Sequence, residues 1–235
     1  MQDKIILKLG GSLLYDLSLS LNLEFLNKFQ AWFKEAKKDY SRIVIIVGGG
    51  KLSRHLVGQV RPFMSTENSQ HRVGMAITNT NAEILRSLLG EDSIMVPKTL
   101  GQALEMVVDD GPKYVVTGGF KEGWSTDMDS VVLAHILGIK KVHKLSNIDH
   151  IYTADPSKDP TATIIKDITW EDYFRTFGLT AGNITHRPGQ NIPIGVLAAR
   201  FASQKGISFF VSGGSTIDEQ PSLSSVLESG TFVHP

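Results

Sequence analysis

The patterning of this chain predicts an α/β fold, a three-layer α/β/α sandwich with a mostly parallel central sheet, on three observations. Short aliphatic runs alternate with amphipathic stretches from end to end, and such alternation builds a sheet between layers of helices. One run, Ile43-Val44-Ile45-Ile46-Val47, is apolar at every position, as a parallel strand covered on both faces must be. Three of the runs lead into consecutive glycines, which suits strands that turn sharply at one edge of a sheet. A length of 235 residues fits one large α/β domain, or a core with a smaller lobe.

In chain order, Ile5-Ile6-Leu7 reads as the first strand and leads into Lys8-Leu9-Gly10-Gly11-Ser12. Leu23, Phe25, Leu26, Phe29, Trp32 and Phe33 then recur at helical spacing. The run at 43–47 leads into Gly48-Gly49-Gly50-Lys51-Leu52-Ser53-Arg54. Residues 61–72 are polar and read as a loop, and Ser93 to Val96 reads as a strand. The strand Tyr114-Val115-Val116 leads into Thr117-Gly118-Gly119 and on to Gly123-Trp124-Ser125-Thr126-Asp127.

Thr126 and Asp127 open a helix. The spacing of Thr126 and Asp129 is that of an acidic capping box, and Gly138 stops the helix after Ile136 and Leu137. Lys141 to Leu145 and Ser208 to Val211 are further strands. Between them, 178–195 holds glycines at 178, 182, 189 and 195 and prolines at 188 and 193, and reads as a long loop near a ligand.

Composition removes several function classes. Lys plus Arg and Asp plus Glu each number 24, so the net charge is zero. That argues against a basic nucleic-acid binder and a polybasic membrane binder. With no cysteine, disulfides, zinc–thiolate sites, iron–sulfur clusters and cysteine nucleophiles are excluded. No apolar run approaches the roughly 20 residues that cross a bilayer, and the N-terminus enters a strand at once without a signal peptide. The expectation is a soluble cytoplasmic protein that binds neither nucleic acid nor membrane.

The glycine turns suggest the chemistry. Glycine brings main-chain N–H groups against a phosphate with no Cβ in the way, and a helix starting just after the turn adds the positive end of its dipole. Neither G-x-x-x-x-G-K-S/T nor G-x-G-x-x-G is present. Lys8 closes an otherwise apolar strand. It either neutralises charge on a transferred phosphoryl group or is a solvated strand end. Asp127 either complements the helix dipole or holds a catalytic lysine in place.

The segment 144–162 is more specific. Its Ser146-Asn147-Ile148-Asp149-His150-Ile151-Tyr152-Thr153-Ala154-Asp155-Pro156 resembles the (T/S)-N-(V/I)-D-G-(V/I)-Y-x-x-D-P segment of the amino acid kinase superfamily, most closely that of uridylate (UMP) kinases. Val47 to Arg54 resembles the second phosphate turn of the archaeal-type UMP kinases. Lys8 to Ser12 is similar to the first turn, Gly118 to Asp127 to the acceptor loop, and Gly230 to Pro235 to the terminal strand.

The resemblance implies ATP-dependent phosphoryl transfer to UMP or a related small phosphorylated acceptor, with Mg2+ carried mainly by the nucleotide phosphates and no protein metal ligand. Lys8 and Asp127 would be the phosphoryl-stabilising lysine and its organising aspartate. Gly11, Ser12, Gly50, Arg54, Ser146, Asn147, Tyr152 and Asp155 would bind ATP. Gly49 would sit against the acceptor, with Phe120, Gly123, Trp124, Ser125 and Thr126 holding the acceptor's phosphate. The resemblance also implies one amino acid kinase domain over 1–235, with an acceptor-side lobe over roughly 1–125 and an ATP-side lobe over roughly 126–235. Members of the superfamily assemble as dimers or hexamers, so a homo-oligomer is expected.

Departures from the pattern cluster on the acceptor side. Gln70-His71-Arg72-Val73-Gly74 lacks the subgroup's nucleotide-binding carboxylate, and Thr78-Asn79-Thr80-Asn81-Ala82 lacks its arginine. Phe120 and Trp124 stand where the subgroup favours Thr and His, His150 replaces a glycine, and Gly195 replaces the aspartate of Asp-Pro-x-Ala-Ala. His71 and Arg72 either suit a more anionic acceptor or are solvated loop residues. Trp124 either stacks on a base or seals the loop. The alternative function is a nucleotide-binding sensor or storage protein of the same fold without kinase activity.

Overall fold

The computed structural model describes residues 2–90, 95–107, 111–179, 192–217 and 229–235. Its strands are β1 (Gln2–Leu9), β2 (Tyr40–Val47), β3 (Tyr114–Thr117), β4 (Lys141–Ser146), β5 (Ile151–Tyr152), β6 (Ile164–Ile165), β7 (Asp167–Thr169), β8 (Ser208–Gly213) and β9 (Thr231–His234). The helices are α1 (Leu23–Ala36), α2 (Gly50–Val60), α3 (Glu67–Leu89), α4 (Leu100–Met106), α5 (Thr126–Ile136), α6 (Trp170–Thr176) and α7 (Val196–Lys205).

The main sheet has the order β3-β2-β1-β4-β8-β9-β7. Strands β3, β2, β1, β4 and β8 run parallel to one another, whereas β9 is antiparallel to β8 and parallel to β7. β5 and β6 form a separate hairpin. The parallel strands therefore all end at one edge, and the glycine turns emerge side by side there.

Alternation along the strands divides the core into two layers. Ile6, Val44, Ile46, Val115, Val142, Phe209 and Val211 pack against the layer formed by α4, α5, α6 and α7. Ile5, Leu7, Leu9, Ile43, Ile45, Val47 and Leu145 pack against α1 and α3. The aromatic crowd of α1 is part of this second layer, with Phe29 stacked on Phe33 at 6.1 Å and tilted against Trp32 at 5.4 Å. In α5 every residue from Asp127 to Ala134 is buried, as befits a helix covered on more than one side.

Three expectations need correction. Residues 67–72 are the first turns of α3, not a loop. Thr66 caps that helix by accepting from Ser69 N–H, and Glu67 complements the dipole; the polarity marks an exposed helix face. Of the strand expected over 93–96, Ser93 and Ile94 lie outside the described residues. Met95 and Val96 belong to no strand, although Val96 is buried in the α1–α3 layer.

The capping box over Thr126 and Asp129 does not form. Ser125 is the cap, accepting from Met128 N–H at 3.3 Å, which frees Asp129 to point into the core. Gly138, at φ +71°, follows the end of α5 as expected. Of the long loop, 180–191 lies outside the described residues, and Pro193 to Gly195 lead into α7. Among the described residues no helix is long and apolar enough to cross a membrane.

Candidate active site

The turns after β1 and β2 are seated on one another. A Cβ on Gly11 would lie 2.0 Å from the Gly48 carbonyl oxygen, and one on Gly50 would lie 2.1 Å from the Gly11 carbonyl carbon. Gly50 also takes φ +63°, a left-handed value that favours glycine. Only bare main chain fits at this seam. Across it, the Arg54 guanidinium donates to Ser12 Oγ at 3.1 Å. α2 begins here with Gly49 at its N-cap and no side-chain cap, so its first N–H groups are available to an anion.

α3 holds the turns in place through two buried polar side chains. Asn81 donates to Gly48 O at 2.8 Å and accepts from the Tyr15 hydroxyl at 2.6 Å. Thr78 Oγ accepts from Gly119 N–H at 2.8 Å and donates to Met75 O at 2.7 Å. The β3 exit is thereby fastened to the same helix as the β2 exit.

Two cavities open at this edge. The larger, about 640 Å³, lies between the β2 and β3 exits; Gly49, Gly50, Arg54, His71, Lys121, Trp124, Ser125, Thr126 and Asn147 are among its lining residues. The second, about 360 Å³, lies between the β1 turn and the ends of β4 and β8, lined in part by Ser12, Asp16, Lys51, Ser146, Asn147, Asp149 and Gly214. Asn147 lines both. Arg54 and Lys121 give the larger cavity a cationic character, and Lys121 Nζ stands 5.0 Å from the centre of the Trp124 ring.

Beneath the seam lies a buried charge cluster. By alternation with Ile6 and Val142, Lys8 and Lys144 face α5, and they are direct neighbours in the β1–β4 register. Asp127, from the first turn of α5, sits between them. Its carboxylate is 3.5 Å from Lys8 Nζ and accepts from Lys144 Nζ at 2.9 and 2.8 Å. Burial alone would raise the Asp127 pKa, but the Lys144 and Lys8 ammoniums together hold it well below the usual carboxylate range. Burial, then the charge of Lys144, lowers the Lys8 pKa to about 8 against the pull of Asp127. A Cβ on Gly48 would lie 3.5 Å from Lys8 Nζ and 3.4 Å from Thr126 Oγ, so the Lys8 ammonium lies directly under the turns.

The structure thus brings Lys8, Asp127, Gly11, Ser12, Gly49, Gly50, Arg54, Ser125, Thr126, Trp124, Ser146 and Asn147 to one edge. Others lie apart. Phe120 is half-buried and packs on the core, and Gly123 forms a turn at φ +79°; neither is among the residues lining the cavities. Tyr152 donates its hydroxyl to Asp149 at 2.9 Å, which relates it to the smaller cavity indirectly. Asp155 accepts from Ser157 N–H and Oγ within its own turn. Arg72 pairs with Glu122 at 2.7 Å on the surface, whereas His71 lines the larger cavity.

Lys144, Thr78 and Asn81 are further residues of the site that the sequence motifs leave without a role. Lys144 was detectable as a lysine in the middle of a strand otherwise destined for the core. Thr78 and Asn81 carry no such mark, because only the fold brings α3 against the turns.

The model of the amino acid kinase family matches residues 3–219 of the chain. The chain is 34% identical over 172 residues to a uridylate kinase of Methanobrevibacter smithii, covering 71% of this chain and 72% of that protein. It is 29% identical over 211 residues to a uridylate kinase of Pyrococcus abyssi, covering 89% and 90%. The crystal structure of the uridylate kinase from Archaeoglobus fulgidus superposes with a TM-score of 0.78 at 26% identity, covering 97% of this chain and 99% of that one.

Proposed function

The chain belongs to the amino acid kinase family, and from that premise we propose that it transfers the terminal phosphoryl group of ATP to UMP or a related small phosphorylated acceptor. The observation that carries the reading is the seam of bare main chain formed by Gly11, Gly48 and Gly50, with the Lys8 ammonium beneath it and a cavity on either side. ATP would occupy the smaller cavity, between the β1 turn and the ends of β4 and β8, and its phosphates would run toward Gly11, Ser12 and Arg54. The acceptor would occupy the larger one, with its phosphate near Gly49, Ser125 and Thr126.

In-line phosphoryl transfer needs positioning and charge neutralisation, not a nucleophilic side chain. The main-chain amides at the start of α2 and the Lys8 ammonium supply fixed positive charge where the transferred group gains negative charge. Neither Lys8 nor Asp127 lines a cavity; Lys8 would reach the phosphates from beneath Gly48, and Asp127 would act by holding it. Among the described residues no group of three or more acidic or imidazole side chains could hold a metal ion. The magnesium that accompanies ATP would be carried mainly by its phosphate oxygens, where it screens their charge.

The test is ADP formation from ATP-Mg across a panel of nucleoside monophosphates and small phosphates. UMP or a close relative is expected to stimulate turnover, and Lys8→Ala to lower kcat by roughly a hundredfold or more with the fold intact. Tight ATP binding with no acceptor-dependent turnover would overturn the kinase reading in favour of a nucleotide-binding sensor.

A further inference from the structure

We propose that Lys144 is a positioning residue for the phosphoryl-transfer centre: it locks the Asp127 carboxylate, so that of the two neighbouring lysines Lys8 alone is left to face the transferred group. This rests on the kinase reading above. An ammonium has three N–H donors. Those of Lys144 meet Asp127 Oδ1 at 2.9 Å, Asp127 Oδ2 at 2.8 Å and the Pro193 carbonyl at 2.5 Å. No donor is left for a phosphate, and Lys144 is 6% exposed. Lys8 stands at a looser 3.5 Å from Asp127 Oδ1 and directly under Gly48.

The two lysines therefore divide the work. Asp127 needs a partner that does not leave when Lys8 turns toward a phosphoryl group, because a buried carboxylate without a cation is strongly unfavourable. Lys144 is that partner. Its bond to Pro193, with that of Gly195 N–H to Asp127 Oδ2 at 3.3 Å, also ties the start of α7 to the same carboxylate. A Cβ on Gly195 would lie 3.2 Å from Ser125 Oγ, a contact that the serine side chain would have to yield to by a few tenths of an ångström.

Lys144 also acts on Lys8 by charge. The groups facing Lys8 are Lys144 from β4, Asp127 from α5 and Arg54 from α2. Asp127 in turn is faced by the buried Asp129 of α5 and Tyr173 of α6. Burial and Lys144 together bring Lys8 down to about 8. Lys8 is charged below that value and loses its charge above it, so activity falls on the alkaline side. Removing the Lys144 charge moves Lys8 upward and carries the alkaline limb with it.

The experiment follows the Lys8 side-chain carbon by NMR in full-length protein labelled at lysine, with Lys8→Arg to assign the signal, beside pH profiles of kcat and of kcat/KM, which reports the free enzyme, with ATP-Mg and UMP. In the wild type Lys8 is expected to titrate near 8. In Lys144→Met it is expected to move up by about one unit, a tenfold change in proton affinity, and the alkaline limb to move with it. kcat at neutral pH should fall by roughly a hundredfold, with a much smaller change in KM. Lys144→Arg keeps the charge and should leave the Lys8 titration in place.

A wild-type Lys8 that titrates in the ordinary lysine range overturns the proposal, and needs no variant to fold. So does a Lys144→Met protein whose kcat drops by the same factor at every pH while Lys8 does not move. The NMR arm requires no turnover, so an inactive wild type would count against the kinase reading and leave the Lys8 titration to decide this one.

Discussion

Replacing Asp129 by asparagine should make the protein less stable in acid and more stable in mild alkali. Asp129 is fully buried, Oδ2 has no hydrogen-bond partner and Oδ1 accepts only a long bond, 3.4 Å, from Phe120 N–H. Burial first, and then the Asp127 charge, pushes its carboxyl up to about 7 against the pull of the Phe120 N–H. A carboxyl with a raised folded pKa contributes stability that is complete below the unfolded value and lost as pH rises to the folded one. Between the ordinary 3.8 and about 7, at about 1.36 kcal/mol per unit, the loss is about 4 kcal/mol.

About 3 kcal/mol of that falls between about pH 4.5 and about pH 8. Asparagine does not titrate, but its amide leaves a buried donor short of a partner, a pH-independent cost of about 1–3 kcal/mol. Urea unfolding of both proteins across this range should therefore show the Asp129→Asn curve starting at or below the wild type and crossing above it. Lys8 and His234 titrate in both proteins and largely cancel in the difference. A stability difference that is flat with pH would refute the reasoning, because it would mean that Asp129 ionises as it does in water.

Gly11→Ala should cost about 3 kcal/mol or more, since its Cβ meets main chain and not a flexible side chain. Thermal melting would show the loss, and the shift produced by added ATP should vanish with the seam. Thr78→Val keeps the shape but orphans Gly119 N–H; it should cost about 1–3 kcal/mol in urea unfolding and raise KM for the acceptor more than KM for ATP.

Much of the architecture was legible because its signals are local. The all-apolar run at 43–47, the helical spacing in 23–33 and the glycine exits each announce their element within a few residues, and parallel pairing then sends the exits to one edge. What failed needed long-range information. Residues 67–72 look like loop because the helix they start is exposed there. The Thr126–Asp129 spacing suits a cap, but Ser125 one residue earlier takes that role and releases Asp129 into the core. Lys144 becomes meaningful only when β4 pairs with β1 and sets it beside Lys8. Thr78 and Asn81 acquire their roles only when a helix distant in sequence settles on two turns.

Because the β1 and β2 bends rest on each other's peptide groups, neither loop can change shape without its neighbour. Side chains around the larger hollow are under no such mutual constraint. His71, Lys121 or Trp124 can therefore be exchanged without disturbing the seam that joins the two bends.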